Sequence, residues 1–254
     1  MSSGAAKAQS GPVTDSKLSK PSPLQPVAIV DTPASKAISI GRPAVLLSAC
    51  LFRLPALIED PASTLRTALP IVVAIQIVYA IACLSPAGSQ QAKPARKARP
   101  GERRKQEATG PNLVVTTILS LLLTAIATPA LHLVFVLFGA PFLDHTEHTF
   151  LCAAHLSILT AFPVFYAHGV DSEAMLAIAG AYAPLDEVFG GLLGAVLGAW
   201  LGAVPIPLDW DREWQKWPVT IVVGMYMGYV LGTKGLGTVF YGKRLGGPSG
   251  RESG

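Results

Sequence analysis

Six apolar windows, at residues 43–58, 67–84, 112–138, 149–167, 188–208 and 217–236, constrain this chain more than any other feature. Crossing about 30 Å of hydrocarbon takes roughly 20 mostly apolar residues, and several of these windows have that length. Composition agrees, with 50% of residues hydrophobic and 14% charged and a mean hydropathy of +0.45. That balance leaves too little polar surface to cover a soluble globule of this size. The chain therefore reads as all-α, a polytopic transmembrane helical bundle of about six spans. Arg53 lies inside the first window, where a helix-centre position would cost about 2.5–3.5 kcal/mol. Snorkelling toward Glu59 and Asp60 would reduce that cost.

The connectors set the organisation. Residues 1–36, rich in Ser, Pro, Ala and Lys and lacking a signal-peptide core, read as a disordered tail. Spans one and two occupy 37–85, a basic loop 86–111, spans three to six 112–238, and a second tail 239–254. The basic loop carries seven Lys and Arg residues, from Lys93 to Lys105, against Glu102 and Glu107, a net of +5. Short loops this basic stay in the cytosol, which puts both termini there and the connectors near Asp144 and Asp209 on the opposite side. The same distribution turns the overall charge of +4 into a topology signal, and nucleic acid is not an expected partner. Cys50, Cys83 and Cys152 are too few and too scattered for a disulfide framework or a zinc site, and read as packing residues. The short apolar stretch 171–183 reads as an interfacial helix leading into the fifth span.

Two glycine stripes stand out. The fifth span presents Gly190, Gly194, Gly198 and Gly202, and the sixth presents Gly224, Gly228 and Gly232. Such stripes let helix backbones approach closely, and they suit either packing between these two helices or docking of a partner's helix. The loop between them runs from Pro205 and Pro207 through Asp209, Trp210, Asp211, Trp214 and Trp217 to Pro218. Its tryptophans suit a membrane interface. Its acids Asp209, Asp211 and Glu213, beside Arg212 and Lys216, suit an ion-paired cap or a metal or headgroup site. Asp144, His145, Glu147 and His148 gather metal-ligand residue types without a known metal spacing, and a polar connector is the blander reading. His132 and His155 read as hydrogen-bonded packing residues, and Asp186 and Glu187 as acids at a helix N-terminus or members of a relay.

No nucleophile elbow, P-loop, dinucleotide fingerprint or zinc-protease motif is present, so an autonomous enzyme finds no support. At Pro205 to Pro218, preceded by FGGLLGAVLGAWLGAV and followed by the glycine-striped last helix, the chain closely resembles the PIG-F family of glycosylphosphatidylinositol-anchor biosynthesis proteins. The resemblance covers roughly residues 112–236 and is strongest over 189–232; the Ser/Pro-rich tail and basic loop look like those of fungal members. It implies a multi-pass protein of the endoplasmic reticulum membrane, without cofactor or metal of its own. Such a protein binds and stabilises the ethanolamine-phosphate transferases that add ethanolamine phosphate to the GPI precursor. It implies no catalytic residue in this chain. The expectation is a non-catalytic subunit whose glycine faces pair with transferase helices and whose Asp209–Lys216 loop lies near the lumenal reaction. Membrane lipids, the GPI precursor among them, are the other expected partners. The alternative is a membrane-embedded lipid-handling enzyme or lipid transporter using the lumenal acidic and histidine loops.

Overall fold

The structure, a computed structural model, describes residues 24–89, 111–208 and 210–245. Its helices are α1 (Pro33–Phe52), α2 (Leu54–Glu59), α3 (Pro61–Cys83), α4 (Leu113–Leu137), α5 (Thr146–His168), α6 (Ser172–Ala179), α7 (Glu187–Ala203) and α8 (Val219–Leu231). A π-helical segment, Gly232–Val239, continues α8. Thr32, Asp60, Asn112, Asp171 and Asp186 cap α1, α3, α4, α6 and α7, their side chains accepting from first-turn N–H groups. Those donors have no partner in a preceding turn, so the caps fix where each helix begins.

The fold is an all-α polytopic bundle. Among the described residues, α1, α3, α4, α5 and α8 with its π extension are long and apolar enough to cross a membrane. At its core stands α5, whose most apolar window is 83% buried, against 28% for α1 and α3 and 22% for α4. It packs on α3, α4 and α7; α7 pairs with α8, and α8 with α1. The outer face of α4 exposes Ile118, Leu122, Ile126 and Leu133, an exterior matched to hydrocarbon. Helix α6 is short and exposes Leu176 while burying Ala174 and Ala177.

Three expectations need correction. The first membrane helix is Pro33–Phe52, not residues 43–58, because the chain breaks at Arg53, which ends α1 and begins α2 with Pro55 in its first turn. Arg53 is thus at a helix end, its Nη2 donating to Thr67 Oγ1 at 3.1 Å, and the cation inside the bundle is Arg42. Second, α7 has 17 residues, about 26 Å at 1.5 Å per residue. It is shorter than the expected span over 188–208, because Pro205 and Pro207 have no N–H to continue the ladder, and the chain leaves the helix in tighter turns, Val204 N–H to the Leu201 carbonyl and Ile206 N–H to the Ala203 carbonyl, each at 3.2 Å. Third, the described parts of the expected tails are ordered against the bundle. Val27 is 2% exposed and its N–H donates to Asp186 at 2.8 Å. Ile29 bridges Leu84, and Arg244 bridges Pro184. Residues 1–23, 90–110 and 246–254, which hold the rest of both tails and most of the basic loop, lie outside the described residues.

Candidate functional site

The two glycine stripes face each other. Helices α7 and α8 run antiparallel, with Gly190 opposite Gly232, Gly194 between Gly228 and Gly232, Gly198 between Gly224 and Gly228, and Gly202 against Thr220 and Ile221. A methyl carbon added to Gly194 would sit 2.7 Å from the Gly232 Cα, and one on Gly228 2.8 Å from the Gly198 Cα. Those are backbone atoms, which cannot swing aside as a side-chain end can. The stripes are therefore filled by each other, and the expected pairing of these faces with a partner's helices is corrected: the surface is already occupied within this chain. Dispersion at this contact replaces the hydrophobic driving force that lipid removes.

At the end of this seam nearer the termini the contact changes character. Glu187, the first residue of α7, is buried. Its Oε1 accepts from Ser39 Oγ at 2.6 Å and from Lys234 Nζ at 2.8 Å, and its Oε2 accepts from Tyr79 at 3.3 Å. Arg42, 4% exposed, lies beside this group on α1. Its guanidinium carbon sits 3.4 Å from the Tyr79 ring centroid, and its Nη1 donates to Gln76 Oε1 at 2.9 Å and to the Tyr229 hydroxyl. Gln76, with no solvent exposure, donates onward to the Ile158 and Leu159 carbonyls of α5 at 3.3 Å. Five helices, α1, α3, α5, α7 and α8 with its extension, are thus tied by one polar cluster in an otherwise apolar interior. Only Nη1 of Arg42 is hydrogen-bonded, its buried Nε and Nη2 having no hydrogen-bond partner among the described residues, and the flat guanidinium is held chiefly against the aromatic face of Tyr79. Next to it, Asp186 accepts from the N–H groups of Val188, Phe189 and Val27. Burial pushes its carboxyl up from the ordinary range, and the bonds from Phe189, Val27 and Val188 pull it back.

Asp186 and Glu187 were legible as acids at a helix start. Arg42, Gln76, Tyr79, Tyr229 and Lys234 were not singled out. The only available signal was a glutamine and an arginine close to apolar windows, and nothing in their spacing says that they meet.

The connector at the opposite end is organised by a residue that the sequence did not flag. Gln215 Nε2 donates to the Pro205 and Leu208 carbonyls at 2.8 Å, and its Oε1 accepts from the Arg212 N–H at 2.9 Å. Trp217 is fixed by an Nε1 donation to Thr149 Oγ1 at 3.1 Å and an edge contact with Phe135. Trp210 and Trp214 stay partly exposed, with ring centroids 5.8 Å apart. Pro205 and Pro207 lie in the turn after α7, and Asp211 is exposed, with φ 47°. Of the expected ion-paired cap, the described residues show Lys216 with Glu213 at 3.1 Å. Asp209 lies outside them.

Within the Asp144–His148 cluster, Glu147 pairs with Arg66 of α3, and the His145 and His148 rings are 5.0 Å apart. Among the described residues no three of His, Cys, Asp and Glu stand where they could share a metal ion. His155, 1% exposed, is hydrogen-bonded on both sides, to the Leu65 carbonyl at 3.1 Å and the Tyr226 hydroxyl at 2.7 Å. A carbonyl only accepts, so in the neutral ring Nε2 carries the proton and Nδ1 receives one from Tyr226.

Helices, glycine seam and interfacial tryptophans define a polytopic helical membrane protein with a polar cluster closed into its core. The chain matches the family described as "GPI biosynthesis protein family Pig-F" over residues 42–236. It belongs to that family. The match starts well upstream of residue 112, so it takes in Arg42, the second half of α1 and all of α3. Similar proteins include glycosylphosphatidylinositol anchor biosynthesis protein 11 of Neurospora crassa, 54% identical over 222 residues, covering 87% of this chain and 82% of that one. The protein of the same name in Pyricularia oryzae is 52% identical over 208 residues, 81% and 78% of the two chains. A human relative, "GPI ethanolamine phosphate transferase, stabilizing subunit", is 39% identical over 105 residues, 40% of this chain and 48% of that one. No solved structure matches significantly. The chain is a membrane component of GPI-anchor biosynthesis.

Proposed function

We propose that this protein is the non-catalytic membrane subunit that binds and stabilises the ethanolamine-phosphate transferases acting on GPI precursors. It acts in the endoplasmic reticulum membrane, with both termini in the cytosol. The reading is carried by membership of the Pig-F family over residues 42–236, together with the human and mouse relatives that are named as the stabilizing subunit of such a transferase. The positive charge of residues 93–105 supports the orientation. The closed glycine seam leaves α7 and α8 already paired within this chain. A transferase would then dock on the exposed apolar faces of the bundle, not on the stripes.

Affinity purification of the tagged protein from native membranes, followed by mass spectrometry, tests the assignment. Ethanolamine-phosphate transferases are expected as stoichiometric partners, and their abundance is expected to fall when this protein is depleted. An eluate without them, or transferase levels unchanged on depletion, counts against it.

A further inference from the structure

Beside the charged cluster, a cleft of about 480 Å³ opens between α1, the N-terminus of α7, the π-helical segment and the extended segment that precedes α1. Its walls are of two kinds. Ile29 and Ile40 give apolar surface, with Ile40 70% exposed on the outer side of α1, while Lys36, Lys234 and Tyr241 give polar groups. Lys234 uses two of its three N–H donors on Ser39 and Glu187, and its side chain is 31% exposed where it lines the cleft. Both Glu187 oxygens already accept from within the protein, so what the cleft meets is mainly the ammonium. Lys36 pairs with Asp31 at 2.6 Å, but the two side chains are 66% and 86% exposed. A pair so open to water is easily exchanged for a better acceptor.

Two further observations point to an anionic ligand at a membrane interface. Lys234 is carried by an eight-residue π-helical segment, a geometry that is rare and is frequently found at functional sites. Gly237 in the same segment lies so close to Glu187 that an added methyl would be 2.6 Å from the Glu187 Cα, which locks lysine and cleft together. The connector between α3 and α4 has a net charge of +5 in its sequence, and α3 ends at Cys83, whose carbonyl accepts from Val30 of the segment before α1; such a charge gathers anionic lipid at a membrane surface.

We propose that this cleft binds the phosphate of a membrane phospholipid headgroup, held by Lys234 and Lys36, with the acyl chains leaving along Ile40. The volume lies in the range of small-molecule sites. Bound lipid would clamp α1 to the α7–α8 pair. The proposal is independent of the transferase assignment, because it concerns the isolated chain.

The full-length protein in detergent would be titrated with dioctanoyl phosphatidic acid, dioctanoylglycerol and inorganic phosphate, read by native mass spectrometry and thermal shift. Saturable binding of the phosphatidic acid is expected, with weaker binding of the other two probes. Lys36→Gln and Lys234→Gln are each expected to weaken it about tenfold, as loss of one charge-assisted hydrogen bond does, and Lys216→Gln at the opposite end is expected to leave it unchanged. Lys36 is exposed and makes no core contact, so its variant decides the matter if Lys234→Gln misfolds. Equal binding of dioctanoylglycerol, inorganic phosphate binding as tightly as the lipid, or wild-type affinity in Lys36→Gln would overturn the proposal.

Discussion

Helices α7 and α8 are held together along most of their length by bare backbone and, at one end, by a cluster of side chains. In the seam, Gly194, Gly198, Gly224 and Gly228 leave no movable atom between the two helix backbones. In the cluster, Glu187 and Lys234 meet through long, partly hydrated groups that also reach Ser39 and Tyr79. The seam supplies proximity and tolerates no added atom. The cluster supplies direction, since its bonds fix how α1 and α3 sit against the pair, and it can re-form around modest changes. Closeness and register are thus assigned to different residues.

The sharpest way to break this contrast is Gly194→Leu or Gly228→Leu. Overpacking a backbone contact is expected to cost about 3 kcal/mol or more, seen as loss of the monodisperse peak in size-exclusion chromatography. Because these variants would disrupt the chain itself, a lost transferase in them would say nothing about a docking face. A normal chromatographic profile in either would show that the seam is not the organising contact.

Smaller effects are expected in the cluster. Arg42→Met leaves Gln76 Oε1 without its buried donor, a loss of about 2 kcal/mol to be read from thermal unfolding in detergent. Glu187→Gln strands the Lys234 ammonium, and adding Lys234→Met is expected to restore part of the lost melting temperature, as replacement of a buried ion pair by apolar groups often does. A double variant less stable than both singles would mean that the pair contributes beyond its own neutralisation. At the far end, Trp217→Phe keeps the Phe135 contact but deletes the bond to Thr149, expected at about 1 kcal/mol. Least of all, Glu147→Gln is expected to leave the melting temperature unchanged, since its pair with Arg66 is open to water.

The seam was legible and the cluster was not, for a physical reason. A glycine every fourth residue puts all of them on one face of a helix, so periodicity along the chain already describes the surface. Even so, whether that face meets a neighbour in the same chain or a partner's helix cannot be read from periodicity; of the two, the structure shows the neighbour in the same chain. Arg42, Gln76, Glu187 and Tyr229 come from four different helices, and their meeting depends on how α1, α3, α7 and α8 rotate about their axes. The charge of Arg42 even hid it, because hydropathy starts the first span after it. Only its hydrogen bonds to Gln76 and Tyr229 and its contact with the Tyr79 ring inside the bundle make an earlier start tolerable.

By itself the sequence determined the membrane class, most helix positions, the glycine faces and the family, since apolar length and short-range spacing are local properties of the chain. Tertiary structure alone decided that the two glycine faces close on each other, that Arg42 is buried inside the bundle, and that the Glu187–Lys234 pair closes one end of the seam. Those outcomes depend on which side chains share a volume with low dielectric, and that is fixed by packing between helices, not by the pattern along any one of them.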